Sequence, residues 1–121
     1  MHEYSLVQAL LRQVATLMRE QAANRVVSIR VSVGEFSGVE SELFRGAYDM
    51  LVDATPVQGA RLQLDRVPLE SKCDECGHAF IMNRFRFQCP QCGGGALTIL
   101  RGEDLVLESV TLEQADNGSE R

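Results

Sequence analysis

Two histidines are all that the 121 residues contain, and tryptophan is absent. With His2 and His78 the only imidazoles, no nucleophile, base and orienting acid suggest themselves, and the chain does not read as an enzyme. No stretch approaches the roughly 18 consecutive apolar residues of a membrane span. Nor do the first residues join a basic segment to an apolar block and a small-residue cleavage site, so the expectation is a cytoplasmic protein with no membrane partner. Clustered positive charge is also missing. The net charge is −5, with basic side chains interspersed among acids, which argues against a general nucleic-acid binder and favours proteins or cations as partners. Cysteine is limited to four residues, which without a secretory signal suggest metal or redox chemistry and not a disulfide framework.

What is present is mostly apolar patterning. Leu6, Leu10, Val14 and Leu17, with Val7, Leu11 and Met18 beside them, recur at helical spacing; Ser5 and Gln8 suggest a capping box, with a start one turn earlier left open, and Asn24 suggests a left-handed stop. In "VVSIRVSVGEF" Val27, Ile29, Val31 and Val33 alternate with Ser28, Arg30 and Ser32, the pattern of a strand with one buried side, and Gly34 and Gly38 mark its exit loop. A second helix from Ser41 places Leu43, Ala47, Met50 and Leu51 on one face, with Phe44 and Tyr48 adjacent, and ends by Thr55, Pro56 and Gly59. "ARLQLDRVP" is a second strand. "DLVLESVTLE" is a third, whose phase slips at Glu108 and Ser109 as a bulge would cause. These stripes are ordinary core and carry no chemistry.

The chemistry concentrates in "CDECGHAFIMNRFRFQCPQCGG". Cys73 and Cys76 form one CxxC pair, Cys89 and Cys92 the other, with twelve residues between the pairs. Each CxxC turn aims two thiolates at one ion, a glycine after each pair (Gly77, Gly93) permits close backbone approach, and four thiolates make the closed shell of a structural zinc site; a redox dithiol or an iron site are the alternatives. "AFIMNRFRF" reads as a hairpin turning at Asn83 and Arg84, so the insert has the form of a zinc ribbon. It is too short to fold without its metal. His78, two residues after Cys76, is the one other side chain there that could compete for the ion, against the plainer reading of an exposed hairpin histidine.

The opening "MHEYSL", the segment "VSVGEFSGVESELF" and the later "CxxCGH…CPxCGG", in that order and spanning nearly the whole chain, resemble the HypA/HybF family of hydrogenase-maturation nickel metallochaperones. Gly93 stands where some members have a histidine directly after the second cysteine pair. The resemblance implies a nickel site at the amino terminus, formed by Met1, His2 and Glu3. A free Met1 amine, the His2 amide nitrogen and the His2 imidazole can close adjacent chelate rings, and the Glu3 amide can add a fourth nitrogen. Such a planar nitrogen set suits Ni(II) or Cu(II). Glu40 matches a family position whose carboxylate lies near that site, and its plainer reading is an acid favoured by a helix start.

The expected architecture is α+β: two helices on a three-stranded mixed sheet formed by residues 1–67 and 104–112, an inserted zinc ribbon at 68–103 tethered through Pro68 and the Gly93–Gly95 run, and a flexible tail at 113–121. The implied function is delivery of Ni(II) to the hydrogenase large subunit, in partnership with a HypB-type nickel GTPase, with Zn(II) structural and a homodimer left open. A zinc-ribbon interaction or nucleic-acid-binding module and a dithiol redox protein remain as rivals. The first lacks a basic face, since residues 69–95 set Lys72, Arg84 and Arg86 against Glu70, Asp74 and Glu75.

Overall fold

The computed structural model describes residues 2–82 and 86–114. Met1, the expected hairpin turn at Asn83 and Arg84, and residues 115–121 of the expected tail lie outside these. The first helix, α1 (His2–Glu20), buries Val7, Leu10, Leu11, Val14 and Ala15 on one face. It starts at His2, so Ser5 lies in its second turn and is not a cap, and Glu3 supplies the acid that the first turn favours. Nor does Asn24 end it. Ala22 takes the left-handed conformation instead (φ 53°), and Asn24 already belongs to β1 (Ala23–Gly34).

Strand β1 is central. It pairs in parallel with β2 (Arg61–Val67) and antiparallel with β6 (Leu105–Gln114), giving the mixed order β2-β1-β6. Helix α2 (Ser41–Leu51) and a 3-10 turn (Val52–Ala54) make the crossover between the parallel strands. Val26, Ile29, Val31 and Val33 point into the core between sheet and helices. Val27 does not: a register shift between Val26 and Ser28 puts Val26 inward at 1 % exposure, a bulge that simple alternation does not reveal. The expected slip in the last strand does occur, because Leu107 and Ser109 pair with Val31 and Arg30 and Glu108 is left between them. The strand also runs two residues into the expected tail. Glu113 pairs with Arg25 at 2.8 Å, and the Gln114 amide donates to the Gln21 carbonyl at 2.9 Å.

Helix α2 is rotated from its expected face. Phe44, Ala47 and Tyr48 are buried, while Leu43 is 60 % and Met50 75 % exposed. Phe44 has no exposed surface, and such a ring contributes about 2–3 kcal/mol on burial. Burial, then the Asp49 carboxylate, push the Tyr48 phenol up to about 12, so it stays protonated and donates to the Ala60 carbonyl at 2.7 Å.

Between β2 and β6 lies a second sheet of order β4-β3-β5, formed by β3 (Glu70–Cys73), β4 (Ala79–Ile81) and β5 (Leu97–Arg101). It holds Leu69, Ser71, Cys73, Met82 and Cys89 as its buried residues among those described, apart from the first core. Its return tether is not the Gly93–Gly95 run but Gly102 and the residues to Asp104. A Cβ on Gly102 would sit 2.5 Å from the Pro68 carbonyl oxygen and 2.6 Å from Leu69 Cα, and a Cβ on Gly34 would sit 2.5 Å from the Gly102 carbonyl. Three backbone segments therefore cross where no side chain fits. The crossing is sewn by Gly34 N–H to Asp104 O (2.9 Å), Glu35 N–H to Val67 O (2.8 Å) and Phe36 N–H to Gly102 O (2.8 Å). Among the described residues, no helix is long and apolar enough to cross a membrane.

This crossing predicts a graded response to alanine. At Gly38 (φ 79°, nothing within 4 Å) Gly38→Ala costs backbone strain alone, about 1 kcal/mol. Gly102→Ala (φ 104°) adds a backbone clash and is expected to cost at least about 3 kcal/mol in denaturant unfolding. Equal losses in the two variants would refute the crossing as a steric constraint.

Candidate metal sites

The two CxxC turns have matching local geometry. In the first, Gly77 N–H donates to the Cys73 carbonyl at 2.9 Å and Cys73 N–H to the His78 carbonyl at 2.8 Å; in the second, Gly93 N–H donates to Cys89 O at 2.9 Å and Cys89 N–H to Gly94 O at 2.9 Å. Both closing glycines are left-handed, Gly77 at φ 80° and Gly93 at φ 77°. A side chain at position 93 would meet that backbone strain, so the glycine has a conformational reason.

Each turn also aims amides at sulfur. Cys76 N–H approaches Cys73 Sγ at 3.5 Å, Cys92 N–H and Gln91 N–H approach Cys89 Sγ at 3.5 and 3.4 Å, and Gly94 N–H approaches Cys92 Sγ at 3.4 Å. The four Sγ atoms lie within 4.8 Å of one another, with Cys73 to Cys92 at 3.5 Å and Cys76 to Cys89 at 3.7 Å. A tetrahedral ion with Zn–S bonds of about 2.3 Å sets its sulfurs about 3.8 Å apart. The donor set therefore fits zinc.

Electrostatics point the same way. Burial works against the Cys89 thiolate, but the N–H groups of Cys92 and Gln91 and the neighbouring thiols outweigh it and bring the thiol down to about 7. At Cys92 the Gly94 N–H favours the thiolate, yet the adjacent Cys73 sulfur and burial prevail and push it up to about 12. Four thiolates this close repel one another, and a divalent cation removes the conflict. His78 is not among the donors: its carbonyl serves Cys73, and its ring stacks on Phe80 with centroids 5.8 Å apart.

The second group of candidates lies at the start of α1. His2 is exposed and is the first described residue. Glu3 Oε2 accepts the Glu40 N–H at 3.0 Å, so the first turns of α1 and α2 meet. That amide, then Glu3's own, hold the Glu3 carboxyl below its ordinary value of 4.5. The contact is present above the ordinary carboxyl pKa and fades only as pH falls through the lowered one. Glu40 is the N-cap residue of α2, where the plainer reading of an acid favoured by the helix dipole holds, and its exposed carboxylate makes no capping hydrogen bond.

Sequence reasoning missed the residues that hold the two regions together. Glu35 Oε1 accepts the Leu69 N–H at 3.1 Å and its Oε2 lies 3.8 Å from the Arg66 guanidinium. Phe36 packs edge-on against Phe87, two residues before Cys89, with centroids 5.7 Å apart. An acid and an aromatic between two glycines is the only signal of this clasp in the sequence, and it does not name the partners.

Against known proteins, residues 1–112 match the family model described as HypA, hydrogenase/urease nickel incorporation metallochaperone. The chain is 36% identical over 112 residues to a hydrogenase maturation factor HypA of Nitrosospira multiformis, covering 93% of this chain and 97% of that protein. It is 35% identical over 114 residues to one of Caldanaerobacter subterraneus, covering 93% and 100%. Two solution structures share the fold. One is described as the Ni metallochaperone HypA from Helicobacter pylori (TM-score 0.68, 24% identity, covering 93% of this chain and 98% of that one), the other as HypA protein (TM-score 0.73, 26% identity, covering 95% and 98%). With the family model spanning both sheets and all four cysteines, the chain belongs to the HypA family of hydrogenase-maturation nickel metallochaperones, which are not enzymes.

Proposed function

We propose that the chain binds Ni(II) at its amino terminus through a free Met1 amine, the amide nitrogens of His2 and Glu3 and the His2 imidazole, with the Glu40 carboxylate alongside. It then passes the ion to the hydrogenase large subunit with a HypB-type GTPase as partner, in the cytoplasm. A second copy of the chain is the remaining candidate partner. Cys73, Cys76, Cys89 and Cys92 hold the structural zinc of a ribbon that forms one module beside the nickel-binding sheet and helices.

The observation that carries this reading is the Glu3–Glu40 contact, which sets the carboxylate-bearing start of α2 against the terminal turn. The helix start supports it a second way. The first N–H groups of an α-helix have no carbonyl one turn earlier to bond, so metallating the His2 and Glu3 nitrogens breaks no helical hydrogen bond. Deprotonated amides also offset the unfavourable meeting of a cation with the positive end of the helix dipole. An exposed site at a chain end releases its ion more readily than a buried cage, as a carrier requires.

Nickel titration paired with zinc analysis tests the terminal site. One residue added before Met1 converts the amine to an amide, and His2→Ala removes the anchoring ring; either is expected to weaken nickel binding at least about tenfold, with Glu40→Ala doing less and zinc content constant in all three. Unchanged nickel affinity in the extended and His2→Ala proteins would return His2 to an ordinary helix end. For the zinc, Cys73→Ser or Cys92→Ser is expected to lose the metal and to raise amide exchange in β3–β5 while α1, α2 and the β2-β1-β6 sheet keep their protection. Equal loss of protection in both parts would show that the ribbon is not a module.

A further inference from the structure

The helices cover one side of the β2-β1-β6 sheet, and the other side carries a groove. About 470 Å³ of it lies where β6 meets the second sheet, over an apolar floor of Val67, Leu100 and Val106, and it continues past Ser32 and Glu108 into about 320 Å³ beside Arg30 and Asp65. Leu100 and Val106 come from different sheets and are 48 % and 42 % exposed on this one surface. One side chain of the groove is held in place. The slip in β6 leaves Glu108 without a partner on β1, and a bulge of this kind re-aims a side chain. Here the carboxylate turns to the outer face, where the Ser32 hydroxyl, itself 7 % exposed, donates to Glu108 Oε2 at 2.6 Å.

Charge states what the groove accepts. Its two cations are already engaged, since Arg30 donates to Asp65 and the Arg101 guanidinium lies 3.6 Å from Glu70. Asp104 and Glu108 form no ion pair among the described residues, so the groove keeps two carboxylates beyond those its cations hold. Both belong to the β6 side of the groove, about 12 Å apart along the chain with Val106 between them, too far to share one ion. Alternate side chains of an extended segment are about 6.8 Å apart on one face, so a cation, an apolar group and a second cation at alternate positions match this spacing. We propose that the groove is the docking site for an extended segment of a partner protein in which a basic, an apolar and a basic residue occupy alternate positions. The basic pair reaches Asp104 and Glu108, and the apolar side chain rests on Leu100 and Val106.

The size of the groove sets its strength. Stable complexes bury about 800 Å² per partner, far more than one short extended segment covers, so the contact is weak and reversible, with a dissociation constant on the order of 100 μM. Exposed charge pairs supply part of it, and salt therefore weakens it. The groove lies on the face away from the helices and leaves the amino terminus uninvolved, so docking is measured without nickel and stands or falls apart from the terminal site.

The test is an amide-resolved NMR titration of the zinc-loaded full chain with a capped peptide of the order Arg-Ser-Leu-Ser-Arg. Shifts are expected to concentrate at Ser32 and residues 100–108, with affinity falling at least about fivefold between about 0.05 and 0.5 M salt. Glu108→Gln keeps an oxygen for the Ser32 hydroxyl, and Val106→Ser alters an exposed side chain. Each is expected to weaken binding at least about threefold, with zinc content and circular dichroism unchanged. Glu108→Lys is expected to reject this peptide and to bind one with a single arginine exchanged for glutamate more tightly than wild type does. No binding at about 1 mM peptide overturns the proposal, as do shifts confined to the helices or an affinity indifferent to salt. So does a peptide indifferent to Glu108→Gln or Val106→Ser, or a charge exchange that fails to rescue Glu108→Lys.

Discussion

The close crossing of the backbone at Gly34, Pro68–Leu69 and Gly102 sets how the second sheet stands on the first, because no side chain intervenes there to act as an adjustable spacer. Sheets held by side-chain packing can slide by repacking rotamers. Sheets held by apposed peptide groups, with three hydrogen bonds between the loop after β1 and the segments entering and leaving the insert, cannot slide without breaking those bonds. Glu35 extends the constraint with one carboxylate that receives the Leu69 amide and faces Arg66. The edge-on contact of Phe36 with Phe87 carries it towards the second CxxC turn. The same loop continues through Val39 to Glu40, whose amide reaches Glu3. One short segment thus touches both candidate metal regions.

How much of this could be read from the chain depended on whether a residue's role is local. The α1 stripe, the alternation in β1 from Ile29 onward and in β2, the slip at Glu108 and the paired cysteines follow from spacing alone, and the structure bears them out. Roles set by tertiary contact were read wrongly or missed. Val26 and Val27 are equivalent in the sequence, and only the bulge against β6 decides which faces the core. Helix α2 carries apolar residues over nearly half its circumference, a wider arc than it buries, so periodicity could not choose between the Phe44–Tyr48 side and the Leu43–Met50 side. Asn24 is the better left-handed residue, yet Ala22 took that conformation because the chain must reverse before β1 begins. β3 and β5 escaped notice because each is short and pairs within the insert, where metal and not apolar alternation organises the fold.

The two metal regions differ in the physics of holding and releasing an ion. In the ribbon, two left-handed glycines and a row of amides set the geometry of four sulfurs around one point, and two of those cysteines, Cys73 and Cys89, are buried. Losing the ion from that shell exposes mutually repelling thiolates in a module with few other buried contacts, so release is coupled to local unfolding. At the helix start His2 and Glu40 are exposed and Glu3 is half-buried, and the tie between the two helix starts is the Glu3 carboxylate accepting the Glu40 amide. Opening that contact disturbs no core residue.

That single tie also explains why the carrier end need not be loose when empty. Two helix starts brought together would place two positive dipole ends side by side, an arrangement that disfavours a cation and, without compensation, each other. Glu3 lies at the first turn of one helix and accepts the amide at the start of the other, so one negative charge serves both ends. The low Glu3 pKa is the signature of that arrangement, because a carboxyl stabilised by two amides gives up its proton readily. A divalent ion arriving at the terminus therefore meets a helix pair whose positive ends are already partly neutralised. The Glu40 carboxylate, free of any capping bond, is available to neutralise the rest.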